Sequence, residues 1–215
     1  SLIAYEAGLL LKRKFRMAIF NPLLIAIIAV MAVLSLLHID YDTYNQSGQY
    51  ISYLLTPATV CLAVPLYQQM ELLKKNLKAV VIGIVSGVLA SMVSVMLLAK
   101  MFRLSHEQYV TLLPKSITTA IGMGVSEELG GIVTITVAVI IITGVLGNMI
   151  AETVIRLAHI EEPIAKGLAL GTSAHAIGTA KAMELGEVEG AMSSLAIAVA
   201  GLLTVVGASV FAQFM

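Results

Sequence analysis

The stretch GTSAHAIGTA, residues 171–180, places three hydroxyls and one histidine in a run of small apolar residues. Thr172, Ser173 and Thr179 can donate hydrogen bonds, and His175 can carry a proton near neutral pH. An ionisable residue within an apolar segment is a functional candidate by default. We therefore predict that these four residues line a substrate site and that His175 is a candidate for proton coupling. The alternative is a neutral buried histidine whose partners are the neighbouring hydroxyls.

A second polar run, LPKSITTAIGMG at residues 113–124, combines a helix breaker with a cation and hydroxyls. Pro114 interrupts the helix, because proline lacks the N–H and clashes with the preceding turn. One positive charge beside several donors suits a small carboxylate. The predicted binding residues here are Lys115, Ser116, Thr118 and Thr119. The alternative is that Lys115 extends to the membrane surface and the hydroxyls bond to their own helix.

Other residues near these runs have predicted structural or coupling roles. Glu127 and Glu128, in SEELGG, are candidates for binding a coupling cation or for gating, and the alternative is a solvated loop. Proline breaks helices, and glycine lets a neighbouring backbone come close. The positions predicted to break or pack helices are Pro57, Pro114, Gly122, Gly171 and Gly178.

Composition places the chain in a membrane. Of 215 residues, 59% are hydrophobic and 12% are charged, and the mean hydropathy is +0.95. Soluble domains carry roughly 25% charged residues. The net charge of zero argues against a nucleic-acid partner. No nucleophile motif, phosphate loop or metal-ligand spacing is present. We therefore expect no enzyme activity, no catalytic residue, no metal and no cofactor.

The hydropathy pattern predicts an all-α polytopic membrane protein, a single domain over 1–215 with about seven or eight segments. The first is the apolar run 2–11, interpreted as the end of a helix that begins before Ser1. Four uninterrupted spans are predicted at 21–39, 79–101, 131–151 and 190–214. Three interrupted segments are predicted at 50–68, 109–125 and 164–183. Whether 109–125 crosses fully or turns back is left open.

Charged loops predict the orientation of the first half. The first loop holds Lys12, Arg13, Lys14 and Arg16, and the third holds Lys74, Lys75 and Lys78. The second loop contains acidic residues and no Lys or Arg. Because basic loops remain in the cytoplasm, the first and third loops are expected inside the cell.

The chain also resembles itself at an offset of 57 residues. LTPATVCLA (55–63) aligns with LLPKSITTA (112–120), and GVLASM (87–92) aligns with GVLGNM (144–149). The predicted repeat units are 55–99 and 112–156, each a Pro-broken segment followed by an intact helix. Repeats with discontinuous helices are typical of secondary transporters, whose substrates bind where the helices break.

Two long motifs resemble a known family. LPKSITTAIGMGVSEELGGI and GTSAHAIGTAKAMELGEVEGAMSSLAIAVAGL are similar to the signature stretches of the LrgB/CidB family of bacterial membrane proteins, and NPLL and PLYQQ fit the same pattern. The resemblance covers essentially the whole chain. It implies a multi-pass protein of the bacterial plasma membrane and a holin-like partner, LrgA or CidA.

The resemblance implies two different functions. One is antiholin-like regulation of murein hydrolase activity, autolysis and programmed cell death. The other is transport of small monocarboxylates of the pyruvate, glycolate and lactate class, since similar plastid proteins move glycolate and glycerate. Broken helices, a lysine and a histidine favour transport, because a regulator needs only helices that associate. We therefore expect a transporter whose partners are a carboxylate, the bilayer, a holin-like subunit and, as an open alternative, further copies of itself.

Overall fold

The computed structural model describes residues 1–15 and 20–215, apart from the side chains at positions 52, 55, 56 and 59. Arg16, predicted for the first basic loop, lies outside the described residues. The described chain is helical and contains no strand, which confirms the predicted fold class. Its contacts divide it into two compact units, Ser1–Leu62 and Ala63–Met215.

The helices before Leu77 are short, and the longest helices begin at or after that residue. The first unit contains α1 (Leu2–Phe15), α2 (Pro22–Leu36), α3 (Tyr41–Ser52) and α4 (Leu55–Cys61). The second contains α5 (Ala63–Gln68), α6 (Met70–Lys75), α7 (Leu77–Met101), α8 (His106–Leu112), α9 (Thr119–Glu128), α10 (Val133–Leu157), α11 (Pro163–Leu185) and α12 (Glu187–Phe211). A short 3₁₀ turn, Ala212–Phe214, follows α12.

Two features define the first unit. Asn21 caps α2, because its Oδ1 accepts the N–H groups of Leu23 at 2.9 Å and Leu24 at 3.3 Å. Gly8 lets α1 lie against the start of α2, since a Cβ there would be 2.7 Å from the Pro22 Cα. At 15 residues, α2 is shorter than the predicted span 21–39 and than the roughly 20 residues that cross a bilayer.

The predicted interruption of 50–68 takes the form of short helices. Pro57 lies in the first turn of α4, and Pro65 lies in the first turn of α5. First-turn N–H groups have no partner within a helix, so proline loses nothing there. Each proline therefore follows a break in the helix and is itself helical.

Three helices are long and apolar enough to cross a membrane, judged over the described residues: α7, α10 and the 187–214 segment that contains α12. They match three of the four predicted uninterrupted spans. The buried residues of α7 recur every three or four positions and so form one face. They are Val80, Ile84, Val88, Met92, Val95 and Ala99. The opposite face exposes large apolar side chains, as a lipid-facing helix does.

The segment 109–125 turns back. Residues 106–128, hairpin 1, comprise α8, a tip at 113–118 and α9. The Thr136 hydroxyl bonds both to Thr111 O, at 2.9 Å, and to Ser126 Oγ, at 2.7 Å. Nearer the tip, a Cβ added at Gly122 would lie 3.5 Å from Pro114 O. Thr111 thus faces Ser126 while Pro114 faces Gly122, so α8 and α9 are antiparallel arms.

α11 also reverses direction, within what the sequence predicts as one segment. Ala174 (φ −126°, ψ 15°) and His175 (φ 42°, ψ −135°) are not helical. A Cβ at Gly178 would lie 2.5 Å from Leu170 O, although residues eight apart in a straight helix are about 12 Å apart. Residues 163–185 therefore form hairpin 2, with a first arm at 163–173, a tip at 174–175 and a second arm at 176–185.

The two hairpins enter the second unit from opposite ends. The first arm of hairpin 2 runs parallel to α7, since Gly83 touches Leu168 and Gly87 touches Thr172. Hairpin 1 lies near the other end, because the hydroxyl of Tyr109 donates to Phe211 O, at the end of α12. Both tips consequently reach the middle of the long helices.

Each long helix and its following hairpin form a repeated unit. α10 begins 56 residues after α7, and hairpin 2 begins 57 residues after hairpin 1. Gly147 of α10 contacts Ala174, and Ala151 clusters with Leu170, so α10 is antiparallel to the first arm and to α7. The units 77–128 and 133–185 are thus inverted relative to each other. The single domain and the repeat boundaries expected from sequence, 55–99 and 112–156, stay predictions.

Candidate functional site

A cavity of about 890 Å³ lies between α7, the tip of hairpin 1 and the first arm of hairpin 2. Most of its lining residues are small. The α7 side contributes Asn76, Ala79, Gly83, Ser86, Gly87, Ala90, Ser91 and Ser94, and the remaining lining residues are Lys115, Ser116, Val154, Glu162, Ile164, Ala165, Leu168, Ala169, Thr172 and Ser173. Asn76 and Ser94 are 18 positions apart, which corresponds to about 27 Å along a helix. The cavity is therefore an elongated groove that reaches the middle of α7.

The tip of hairpin 1 brings a cation to the inner end of the cavity. Pro114 follows the end of α8, and Lys115 and Ser116 occupy the turn that comes next. The ammonium of Lys115 donates to Ser116 Oγ at 3.0 Å. Among the described residues, no carboxylate forms an ion pair with Lys115. A half-buried ammonium without a protein counter-charge is a favourable place for an anion.

Ser91 reaches the same point from α7. Its hydroxyl donates to Ser116 Oγ at 3.0 Å, across 25 residues of sequence. The hydrogen bond ties the tip of hairpin 1 to the middle of α7. Ser91 was not selected from the sequence, because a serine within an apolar helix has no distinguishing local signal. Its only sequence pointer is the repeat, which aligns Ser91 with the polar Asn148.

The hydroxyls on the first arm of hairpin 2 bond to their own helix. Thr172 donates to Leu168 O at 2.8 Å, and Ser173 donates to Ala169 O at 2.6 Å. Their oxygen lone pairs remain available to a ligand. Two α7 hydroxyls have the same pattern, with Ser86 bonded to Gly83 O at 3.0 Å and Ser94 bonded to Ser91 O at 2.8 Å. This side of the cavity therefore offers acceptors.

Gly87 allows α7 to lie close to the cavity wall formed by hairpin 2. A Cβ at Gly87 would lie 2.7 Å from the Thr172 hydroxyl oxygen, closer than any ordinary van der Waals contact. The repeat-equivalent residue of α10 is Gly144, where a Cβ would lie 2.7 Å from the His175 ring. The two long helices thus hold the hairpin on either side of its tip.

His175 lies at the tip of hairpin 2 and is buried, but it does not line the cavity. Its Nε2 is 3.0 Å from Ile140 O on α10. The Thr179 hydroxyl is 3.1 Å from His175 O and 2.7 Å from Ser193 Oγ on α12. Asn148 donates to Ile177 O at 3.0 Å. These bonds satisfy the backbone freed by the reversal and hold the tip in place.

The predicted residues of hairpin 1 separate into two groups. Lys115 and Ser116 line the cavity, whereas Thr118 and Thr119 begin α9 and are not among the lining residues. Glu127 and Glu128 are exposed in the last turn of α9, next to the end of hairpin 1 that is remote from the tip. Of the predicted binding residues, the structure therefore brings together Lys115, Ser116, Thr172 and Ser173.

Three predicted packing glycines lie where helices approach closely. Cβ atoms added at Gly171 and Gly178 would lie 2.6 Å from Ser193 O and 2.5 Å from Leu170 O, and one at Gly122 would overlap the Ile140 side chain. Each position brings a hairpin arm against a neighbouring helix or against the other arm. At Gly171 and Gly178 the nearest atoms are backbone oxygens, so a side chain there would push the hairpin arm away from α12 or from the other arm.

A second cation was not selected from the sequence. Lys181, on the second arm of hairpin 2, is 8% exposed. It forms ion pairs with Glu152 of α10 and, at 3.0 Å, with Glu184. A lysine near the end of a predicted segment is typical of a surface residue, and only the reversal of hairpin 2 brings it beside Glu152. Since it is paired, Lys181 differs from Lys115.

Comparisons with known proteins agree with one another. Residues 1–214 match the LrgB-like family. Proteins named "Antiholin-like protein LrgB" from Bacillus mycoides (strain KBAB4), Bacillus cereus (strain B4264) and Bacillus anthracis (strain CDC 684 / NRRL 3495) are each 39% identical over 215 residues, which is 100% of this chain and 94% of theirs. No solved structure matches the chain.

Proposed function

This chain belongs to the LrgB-like family, and we propose that it is a multi-pass secondary transporter of small monocarboxylates in the bacterial plasma membrane. The substrate class is that of pyruvate, glycolate and lactate. The observation that carries the proposal is Lys115, an ammonium without a carboxylate partner among the described residues, at the inner end of a cavity. A carboxylate supplies the missing charge, and the Ser116 hydroxyl lies beside the ammonium that would hold it.

The inverted hairpins support transport rather than passive structure. Non-helical backbone at membrane depth is tolerated where protein or a water-filled cavity satisfies it. Two units related by inversion, with broken helices meeting at mid-length, are a common framework for alternating access. The cavity extends toward the end where α7 and hairpin 2 begin, so the site is open to one end. Movement of one set of elements against the rest would open it to the other.

His175 remains the candidate proton carrier in this proposal. It lies at the tip of hairpin 2, against Ile140 of α10 and separate from the carboxylate cavity. Protonation there would change the bond that holds the tip to α10. Uptake driven by a proton gradient is expected to lose its dependence on the gradient in His175→Asn. A holin-like LrgA or CidA subunit is the proposed partner, and no enzyme activity is proposed.

A second function is favoured by the relatives. They are named antiholin-like proteins, and the resemblance to the LrgB/CidB family implies regulation of murein hydrolase activity, autolysis and programmed cell death. That function requires association of helices, and the exposed apolar faces of α7 and α12 are suited to it. The regulatory function does not require the charge of Lys115. The two candidate functions therefore differ in what they predict for one residue.

The test is uptake of labelled pyruvate and glycolate into proteoliposomes, with and without an inward proton gradient. The protein is assayed alone and with its holin-like partner. Lys115→Gln is expected to reduce uptake at least tenfold, because a charged hydrogen bond is lost. Lys100→Gln is the matched control, since Lys100 lies in the last turn of α7, is exposed and does not line the cavity. Its uptake is expected to equal that of the wild type.

Two outcomes would contradict the transporter. One is undiminished uptake by correctly folded Lys115→Gln protein. The other is no uptake of either acid in any arrangement, combined with an effect on autolysis in cells that Lys115→Gln leaves intact. The second outcome would establish the regulator.

A further inference from the structure

We propose that Ser91 is a positioning residue of the anion site: its hydroxyl makes Ser116 a hydrogen-bond donor toward the bound carboxylate. The inference rests on the proposed function and deepens it by assigning the polarity of the binding groups. Ser91 lies on α7 and Ser116 on the tip of hairpin 1. Ser91 acts through Ser116 and is not itself assigned a contact with the substrate.

The polarity of Ser116 follows from counting its hydrogen bonds. A hydroxyl has one proton to donate and two lone pairs to accept with. Ser116 Oγ accepts from Lys115 Nζ at 3.0 Å and from Ser91 Oγ at 3.0 Å. Both lone pairs are therefore used. Among the described residues, the Ser116 proton has no acceptor, and Ser116 lines the cavity.

The other hydroxyls that line the cavity already donate their protons to protein acceptors. Ser86, Ser94, Thr172 and Ser173 donate to backbone carbonyls of their own helices, and Ser91 donates to Ser116. Ser116 is thus the one hydroxyl, of those described around the cavity, whose proton is free. With the adjacent ammonium of Lys115, it forms a pair of donors that matches the two oxygens of one carboxylate.

Removing Ser91 would free a lone pair on Ser116. The Ser116 hydroxyl could then accept a hydrogen bond from a ligand, and its preference for an acceptor would weaken. Alanine at position 91 keeps the helix, because alanine has the highest helix propensity. The predicted consequence is a change in ligand selection with little change in fold.

The experiment compares Ser91→Ala with Ser209→Ala in the proteoliposome assay. Ser209 is an exposed serine of α12 whose hydroxyl also bonds within its own helix, to Val205 O, and it does not line the cavity. Ser91→Ala is expected to raise the KM for pyruvate about threefold, with kcat changed less than about twofold. The rise is smaller than the roughly tenfold effect of losing a whole hydrogen bond to a charged group, because Ser116 keeps its proton. Ser209→Ala is expected to leave KM unchanged. Ser91→Thr, which keeps the hydroxyl, is expected to restore KM.

A neutral probe separates positioning from a structural effect. Pyruvamide has the pyruvate skeleton but carries an NH₂ donor in place of one carboxylate oxygen. The Lys115 and Ser116 pair of the wild type presents donors only, so it is expected to discriminate against pyruvamide. Ser91→Ala is expected to reduce the ratio of the pyruvamide and pyruvate inhibition constants about threefold or more, since Ser116 can now accept from the amide. Ser91→Cys, which keeps the volume but donates weakly, is expected to behave like Ser91→Ala.

Several outcomes would overturn the inference. An unchanged KM and an unchanged inhibition ratio in both Ser91→Ala and Ser91→Cys would remove Ser91 from the anion site while leaving the transporter intact. An equal effect of Ser209→Ala would show that the change in KM does not depend on the bond between Ser91 and Ser116. Absence of pyruvate and glycolate uptake by the wild-type protein would overturn the proposed function and this inference together.

Discussion

Gly147 of α10 tests whether hairpin 2 is held as the structure shows. A Cβ added there would lie 2.5 Å from the Ala174 Cβ and 3.7 Å from its Cα. Ala174 is at the tip, where the chain reverses. Favourable carbon contacts occur at about 3.5–4.0 Å, so Gly147→Ala requires a displacement of about 1 Å. The tip cannot yield freely, because Asn148 and Ile140 of α10 bond to it.

The change in the free energy of unfolding of Gly147→Ala is the difference between two opposing effects. Overpacking costs about 1–3 kcal/mol, and a displacement of 1 Å against two hydrogen bonds belongs near the upper end. Replacing a helical glycine by alanine stabilises the helix by about 1 kcal/mol. The expected net loss is about 2 kcal/mol. For a chain of this size, 1 kcal/mol corresponds to about 2–4 °C, so the Tm is expected to fall by about 4–8 °C.

The assay is thermal unfolding in detergent, followed by far-UV circular dichroism at one fixed heating rate, because the Tm of an irreversible transition depends on that rate. Gly124→Ala is the matched control. Gly124 is also within a helix, α9, but a Cβ there would meet nothing within 4 Å. Its Tm is expected to rise by about 2–4 °C, the propensity gain alone.

A Gly147→Ala protein that melts at or above the wild type would refute the reasoning. It would mean that the tip of hairpin 2 does not rest on α10 at this point. A fall in the Tm of Gly124→Ala equal to that of Gly147→Ala would also count against it, since the two substitutions would then share a cause unrelated to the tip.

Two further predictions concern the ion pairs and the opening of the cavity. Lys181→Met is expected to lower the free energy of unfolding by about 1 kcal/mol, because the side chains of Glu152 and Glu184 are 66% and 53% exposed and remain solvated. The double change Glu152→Gln and Glu184→Gln is expected to lower it by about 3 kcal/mol, because the buried ammonium of Lys181 then has no counter-charge from these two residues. Chemical denaturation measures both values, and a larger loss for Lys181→Met than for the double variant would contradict this reasoning. The open end of the cavity lies where α7 begins, beside the basic loop that holds Lys74, Lys75 and Lys78, so it is expected to face the cytoplasm. In a Cys61→Ser background, Ala79→Cys is therefore expected to react with a membrane-impermeant thiol reagent from the cytoplasmic face in inside-out vesicles. Labelling from the opposite face alone would contradict a cytoplasmic opening.

Features that depend on consecutive residues could be predicted from the sequence. Low charge and high hydropathy predict a helical membrane protein, since a bilayer requires apolar segments with internal hydrogen bonding. Pro114 predicts the break before Lys115 because proline cannot continue a helix. The signature stretches around the two polar runs predict the family. Each of these signals is local, so it does not depend on where the rest of the chain lies.

The predicted site residues show which features local sequence patterns cannot predict. Thr118 and Thr119 are neighbours of Ser116 in sequence, yet they begin α9 and leave the cavity. Their type and spacing were suitable, but their direction depends on how hairpin 1 folds back. Ser91 was missed for the opposite reason, since its partner Ser116 is 25 residues away.

By itself, the sequence determined the helical membrane class, the family and the helix break at Pro114. Only the tertiary structure decided that α11 reverses at Ala174 and His175, which are neither proline nor glycine, and that Lys115 lies beside Ser91. The physical reason is that a reversal without a helix breaker is stabilised by partners on other helices, such as Ile140 O bonded to His175. Such partners become neighbours only after the chain has folded.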